Sequence, residues 1–474
     1  MSSTAAETTN TDSFDLIVLG GGSAGYSAAL RASELGMAVA LVEADKIGGT
    51  CLHHGCIPTK ALLHSAELAE SIRQAERFGV SATLTGIDGA AMLEQRATVI
   101  ANLHRGVRGL IRARKVTVVE GRGELRHDGS HPSVVVTEGD QTRTLRAAHV
   151  VLATGARSRM LPGAVLDRRR VLDSTQALAL PEVPASAVII GGGVIGVEFA
   201  SAWAGLGARV TVLEAADRLL PSEDEPSAKQ VDKALRARGI DIRVGTRFDG
   251  IRASSTGVEV AAGGDRITAD VALVAVGRVP NGEPFAEAGV ELDGSWVVTD
   301  ERLATNLPGV FAAGDLVAGP QLAHRGFAHG IFVAEEIAHR RGRLDDAPSP
   351  VVDAWLPRVT YCHPQLASVG VATGTPGTET YLYDLAGNGR AQILGERGQV
   401  RVVHRVTDGE PGEVVGIHIV GPQAGDLISE AQLIVGWQAM PTDVADLVHA
   451  HPTLSEALGE AHLALAGKPL HVHR

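Results

Sequence analysis

Two stretches of the chain share one pattern of apolar and polar positions. Phe14-Asp15-Leu16-Ile17-Val18-Leu19 is a short apolar run suited to a strand buried on both faces, and Gly20-Gly21-Gly22-Ser23-Ala24-Gly25 follows it. An alanine-rich helical stretch, Tyr26 to Leu35, leads to a second apolar run, Val39 to Val42, that ends in Glu43. The pattern returns at Ala187-Val188-Ile189-Ile190 and Gly191-Gly192-Gly193-Val194-Ile195-Gly196, and reaches Val210 to Leu213 and Glu214. Val150 to Gly155 and Val271 to Gly277 are matching strand-to-glycine endings, one closing each repeat. Val116 to Val136 alternates and carries turns, which predicts a β excursion. Val310-Phe311-Ala312-Ala313-Gly314-Asp315 is a further strand-to-turn junction. Arg341 to Val351 has a linker's composition, and Trp355 to Leu465 predicts an α+β region.

In each repeat the glycines have separate tasks. The first permits a tight turn, the second lets a pyrophosphate approach the backbone, and the third allows close packing of helix on strand. The pyrophosphate then lies at the helix N-terminus, and an acidic residue about 20 positions on accepts the ribose hydroxyls. Glu43 and Glu214 stand at that place. A single such motif is weak, but two in strand–turn–helix–strand–Glu context predict two Rossmann-like folds and two dinucleotides. Glu214 would repel a 2′-phosphate, and Ala215 and Ala216 supply no cation, so NAD is expected over NADP. Arg218 is the nearby residue that argues the other way.

Composition narrows the partners. With 474 residues, 45% of them hydrophobic, the chain is expected to fold as several domains, and a net charge of −12 disfavours nucleic acid and anionic membranes. No apolar run approaches the ~18 residues that span a bilayer. Residues 1–13 carry neither a secretory nor a transit pattern and are expected to be a disordered tail, with the protein in the cytoplasm. Three cysteines cannot staple a chain of this length.

Two of those cysteines lie close together, in Gly48-Gly49-Thr50-Cys51-Leu52-His53-His54-Gly55-Cys56-Ile57-Pro58-Thr59-Lys60. Ala61 to Ile72 predicts a helix with Pro58 in its first turn, so Cys56 falls near a helix N-terminus, where a thiolate is stabilised. Cys51 comes within reach if the intervening loop folds back at Gly55. Cys51, His53, His54 and Cys56 could ligate zinc by residue type, and a purely structural disulfide is the other alternative. No metal is expected. Cys362 has no thiol neighbour in sequence and is expected to pack.

The Cys51-(x4)-Cys56 run through Lys60, set between the two glycine motifs' strands, resembles the class I pyridine nucleotide–disulfide oxidoreductases. The resemblance covers the chain from about Phe14 onward. It implies an α/β fold with two Rossmann-like domains, for FAD and NAD, and a C-terminal α+β dimerisation domain. The implied divisions are 1–13 tail, 14–160 FAD-binding, 161–280 NAD-binding, 281–350 central and 351–474 interface. FAD contacts are implied at Gly20, Gly22, Gly25, Glu43, Gly49, Thr50, Lys60, Gly123, Gly155, Asp315, Leu322, Ala323 and His324. NAD contacts are implied at Gly191, Gly193, Ile195, Gly196, Glu198, Glu214 and Gly277, with Glu198 also pairing with Lys60.

Ala450-His451-Pro452-Thr453-Leu454-Ser455-Glu456 supplies a proton acceptor, since histidine titrates near neutrality and Glu456 can hold its imidazole. The run resembles the base motif of dihydrolipoamide dehydrogenases. By that resemblance Cys51, Cys56, His451 and Glu456 are catalytic, the enzyme is a homodimer with His451 acting on the other subunit's cysteines, and its electrons come from dihydrolipoamide. The lipoyl group would belong to an acyltransferase or to the glycine cleavage H protein. The alternative is a reductase of low-molecular-weight disulfides such as glutathione or mycothiol; a non-catalytic flavoprotein scaffold is disfavoured by the intact motif residues. Phe327 and His329 depart from the lipoamide pattern, which has acidic or small residues there. His471 and His473 are expected to be solvated in a frayed tail.

Overall fold

The computed structural model describes residues 12–472. Of the tail expected over 1–13, residues 1–11 lie outside the described residues, while Asp12 and Ser13 already pair with Leu145 and Arg146 in the first strand. The chain gathers into two compact units. One comprises residues up to Pro58, Glu94–Ser158 and Arg278–Asp353; the other comprises Thr59–Leu93, Arg159–Gly277 and the residues from Ala354 onward.

The first unit is built on a seven-stranded sheet. Its parallel part runs Thr117–Glu120, Val39–Glu43, Asp12–Leu19, Gln141–Leu152 and Val310–Ala312. Along one edge the strand Gln141–Leu152 serves two partners in turn: its first half pairs antiparallel with Pro132–Glu138 and its last residues pair parallel with Val310–Ala312, while Asp12–Leu19 pairs parallel along its other edge. Thr117–Glu120, at the start of the expected β excursion, instead extends the parallel sheet; the antiparallel part is Arg122–His127 with Pro132–Glu138 and Gln141–Leu152. Leu16 and Val18 point into the core under helix Ser23–Glu34, while Ile17 and Leu19 point into the core on the other face. That is why this strand is apolar without alternation.

The second unit repeats the plan. Its parallel sheet runs Asp241–Arg243, Arg209–Leu213, Ser186–Ile190, Val271–Val274, Val171–Leu172. Ala187 and Ile189 face one core, and Val188 and Ile190 the other. In both sheets the order reverses beside the first strand, so its carboxyl end opens at the switch point where open α/β sheets bind ligands. The same unit holds a five-stranded antiparallel sheet of Arg358–Thr360, Gln365–Gly370, Glu410–Gly421, Gln399–Thr407 and Thr378–Asp384. Helices Ala424–Gly436 and Glu456–Leu465 pack on one face of it. Among the described residues, no helix is long and apolar enough to cross a membrane.

Candidate active site

The two glycine loops are near-copies. Gly20 and Gly191 have φ of +103° and +111°, which glycine adopts without strain. A Cβ on Gly25 would strike the carbonyl of Gly20, and one on Gly196 the carbonyl of Gly191. The helices that follow, Ser23–Glu34 and Val194–Gly205, start from Gly22 and Gly193, neither of which brings a capping side chain. Their first-turn N–H groups therefore suit an anion. Glu43 accepts from the N–H groups of Gly21 (2.5 Å) and Asp45 (2.8 Å); Glu214 accepts from Gly192 (2.6 Å) and Ala216 (2.7 Å). Ile195 lies in the first turn of its helix, partly buried. Arg218 turns away, donating to the carbonyl of Pro221 (2.8 Å).

Other expected cofactor positions surround the first loop. Gly49 has φ +58°, and a Cβ there would come 2.6 Å from the Cα of Gly22. Gly48 donates to the carbonyl of Gly21 (2.8 Å), so Gly49 and Thr50 ride on the glycine loop. Gly155, φ +66°, has open space where a Cβ would stand, which leaves room for a flat ring against the backbone; Gly277, φ +100°, ends the equivalent strand of the second sheet. Gly123 packs against Leu19, Val42 and Val134 at the end of the first sheet. These features fit a dinucleotide at each loop.

The segment carrying the cysteines is helical, where a loop was expected. Gly49–His54 forms one short helix, Gly55 breaks it at φ −140° and ψ −107°, and Cys56 opens the long helix Cys56–Gln74. The turn is possible because Gly48 supplies a left-handed start at φ +109°. Both cysteines are half-buried. His53 donates through Nε2 to the carbonyl of Ile47 (2.9 Å), which ties the end of the short helix to its beginning. Among the described residues no cluster of three or more His, Cys, Asp or Glu is arranged to hold a metal. Cys362 is buried, and burial pushes its thiol up to about 12.

One turn beyond Cys56, Lys60 Nζ lies 2.9 and 3.0 Å from the two carboxylate oxygens of Glu198. The Glu198 side chain is only 4% exposed, and the Tyr361 N–H also donates to it (3.0 Å). The Lys60 ammonium sits 4.6 Å from the Tyr361 ring centroid. The carboxylate thus has three donated hydrogen bonds, which a buried charge requires. Tyr361 escapes sequence reasoning because it lies 163 positions from Glu198.

Asp315 belongs to the turn Gly314–Leu316, and Leu322, Ala323 and His324 open helix Ala323–Arg340. Burial raises the Asp315 carboxyl's pKa, opposed by Arg278 and Arg325. Arg325, 4% exposed, pairs with Asp353 through Nε (2.8 Å) and Nη2 (3.0 Å) and donates to the carbonyl of Ala318 (2.6 Å). His329, which departs from the lipoamide pattern, is buried and accepts the Gly314 N–H at Nδ1 (3.3 Å). Phe327 packs its ring on Tyr26 at 5.6 Å. The spacing of Arg325 and His329, one helical turn, is the signal that would have joined them.

His451 Nδ1 is 2.8 Å from Glu456 Oε1, and the Thr453 N–H donates to Glu456 Oε2 (2.7 Å). Burial would raise the Glu456 carboxyl, but the Thr453 N–H, His451 and His471 outweigh it and hold the carboxyl low. The His451 side chain is 73% exposed and turns Nε2 away from its carboxylate partner. Asn388, buried and unnoticed in the sequence, donates to the Thr453 carbonyl (3.0 Å) and so holds the turn. His471 is not merely solvated: its N–H and its Nδ1 both meet the buried Glu460 carboxylate (3.1 and 2.7 Å). His473 lies outside the described residues.

Residues 14–330 match the family described as pyridine nucleotide-disulphide oxidoreductase, and 356–462 match that family's dimerisation domain. The mitochondrial dihydrolipoyl dehydrogenase of Pisum sativum is 37% identical over 97% of this chain and 93% of its own length. The dihydrolipoyl dehydrogenase of Bacillus subtilis is 36% identical over 97% of this chain and 99% of its own. Among solved structures, LpdA from Mycobacterium tuberculosis superposes with a TM-score of 0.87 at 28% identity, covering 96% of this chain and 100% of that one. The flavoprotein disulfide reductase RclA of Escherichia coli superposes at 0.83 with 25% identity, over 96% of this chain and 100% of its own. The chain belongs to the pyridine nucleotide-disulphide oxidoreductase family.

Proposed function

We propose that this protein is a dihydrolipoyl dehydrogenase, oxidising protein-bound dihydrolipoamide and reducing NAD⁺. The observation that carries the reading is the combination, in a chain 36–37% identical to dihydrolipoyl dehydrogenases, of the Cys51–Cys56 turn with the His451–Glu456 pair. The lipoyl group would come from an acyltransferase or a glycine cleavage H protein, and the enzyme would act as a homodimer.

The residues divide the work by their chemistry. Glu456 holds the imidazole through Nδ1, which leaves Nε2 to accept a proton from one thiol of the substrate. The resulting thiolate attacks Cys51, the Cys51–Cys56 bond breaks, and Cys56 departs as a thiolate at the amino end of its helix. The second substrate thiol then attacks the substrate sulfur held on Cys51, which closes the lipoyl ring and frees the Cys51 thiol. Bound FAD supplies the two-electron acceptor that links the reduced cysteine pair to hydride transfer to NAD⁺. The Gly20–Gly25 loop, Glu43 and the Asp315 turn would hold that cofactor, and the Gly191–Gly196 loop with Glu214 would hold the nicotinamide dinucleotide.

The test is the purified Cys51→Ser variant. It should remain yellow, with full flavin content, and lose dihydrolipoamide oxidation. Undiminished turnover would end the assignment.

A further inference from the structure

Helix Ala323–Arg340 meets the Gly314–Ala318 segment with two buried side chains of opposite hydrogen-bonding character. Arg325 donates to the carbonyls of Gly314 (3.5 Å), Val317 (3.5 Å) and Ala318 (2.6 Å). His329, one turn further, accepts the N–H of Gly314. A backbone N–H can only donate, so Nδ1 must carry a lone pair and the imidazole is neutral, with its proton on Nε2. Glycines on either side of His329 hold the helix close. A Cβ on Gly330 would strike the Ser27 hydroxyl and the Ala24 carbonyl, and one on Gly326 would come 3.3 Å from the Ala24 nitrogen. A Cβ on Gly314 would come 2.9 Å from that of Ala24. The Asp315 turn and the first turn of helix Ser23–Glu34 therefore meet around one histidine.

We propose that His329 is a positioning residue of the flavin site, a neutral acceptor whose protonation unlatches the Gly314–Asp315 turn and releases FAD in acid. The proposal rests on the reading of that turn as flavin-binding. Protonation would turn Nδ1 into a donor facing another donor and leave the Gly314 N–H buried without an acceptor. It would also place a second cation one helical turn from Arg325. The charged groups acting on the ring are Arg325 on its own helix and Asp353 beyond that helix. Helix Ser23–Glu34 presents the uncharged Ser23, Ala24, Ser27 and Ala28 to Gly326 and Gly330. Burial first, and then Arg325, bring the imidazole from 6.5 down to about 4, against the pull of Asp353. Because the folded value is depressed, the stabilisation is complete above 6.5 and is lost as pH falls toward about 4.

The experiment follows flavin fluorescence and far-ultraviolet circular dichroism of the flavin-loaded protein as the pH is lowered. In the wild type, fluorescence should rise before the helical signal falls. His329→Gln keeps an acceptor oxygen and cannot titrate, so its release midpoint should move to lower pH by roughly one unit. His329→Leu removes the acceptor and should release flavin more readily at neutral pH, with its dichroism spectrum retained. Release curves that coincide for wild type and His329→Gln, or release that only accompanies loss of helix in both, would overturn the proposal. A wild-type protein purified without flavin would instead overturn the functional reading beneath it.

Discussion

Glu43 and Glu214 are each fixed by two backbone N–H groups, one from the glycine loop and one from the residue two positions on. A carboxylate held this way meets ribose hydroxyls without first losing rotamer freedom. At Glu214, on the proposed reading, it would also stand against any 2′-phosphate, while Arg218 is engaged with Pro221. Wild-type enzyme should therefore favour NAD⁺ over NADP⁺ in kcat/KM, and Glu214→Ala combined with Ala215→Arg should narrow the gap. Equal use of both nucleotides by the wild type would refute the reading of Glu214. At the base, His451→Gln should lower turnover by on the order of 10²-fold or more while flavin content stays constant. Both carboxylates, the cysteines and His451 were legible because their motifs are local in sequence. Arg325, Tyr361 and Asn388 were not, because their partners become neighbours only through folding: Asp353, Glu198 and the Thr453 carbonyl lie 28, 163 and 65 positions away.

Among the elements, the two strand–glycine–helix units were readable almost to the residue, since burial on both sheet faces and the forced turn conformations leave little choice of amino acid. The cysteine segment was read less well. Its one short helical turn gives no periodic signal, and the left-handed Gly48 that starts it resembles any loop glycine in sequence. The same geometry allows the two nucleotide units to be separated by experiment. Gly196→Ala forces a Cβ onto the Gly191 carbonyl, and Gly25→Ala forces one onto the Gly20 carbonyl. Displacing either loop costs about 1–3 kcal/mol, enough to weaken a bound dinucleotide by roughly 5- to 150-fold. Gly196→Ala should raise KM for NAD⁺ with flavin absorbance per subunit intact, while Gly25→Ala should lower the flavin content itself. If Gly196→Ala emptied the protein of flavin and Gly25→Ala did not, the assignment of the two loops would have to be exchanged.

On the scale of the whole molecule, the anchoring of the C-terminal sheet was not legible in the pattern of residues. The face opposite its helices carries Arg401, His418 and Ser368, all buried. Glu223 pairs there with Arg358 (3.2 Å), and Asp224 accepts the Thr373 N–H (2.9 Å), so a polar network joins that sheet to the part of the same unit that carries the Gly191–Gly196 loop. Such alternating polar positions read in sequence as a solvated strand face. The assembly was suggested by resemblance alone, and residues 356–462 match a dimerisation domain. His451 is exposed, with its carboxylate partner on one side and Nε2 turned outward, which suits a base offered to another chain. If the site is completed across a two-fold axis, Cys51→Ser and His451→Gln homodimers should each be nearly inactive, yet mixing them by refolding should restore turnover. A mixed dimer holds one site with both defects and one with neither. Random pairing makes half the dimers mixed, so about a quarter of the wild-type sites should return. Subunit exchange must be demonstrated in parallel, by mass spectrometry of differently tagged chains. Exchange without recovered activity would mean that His451 serves the cysteines of its own chain.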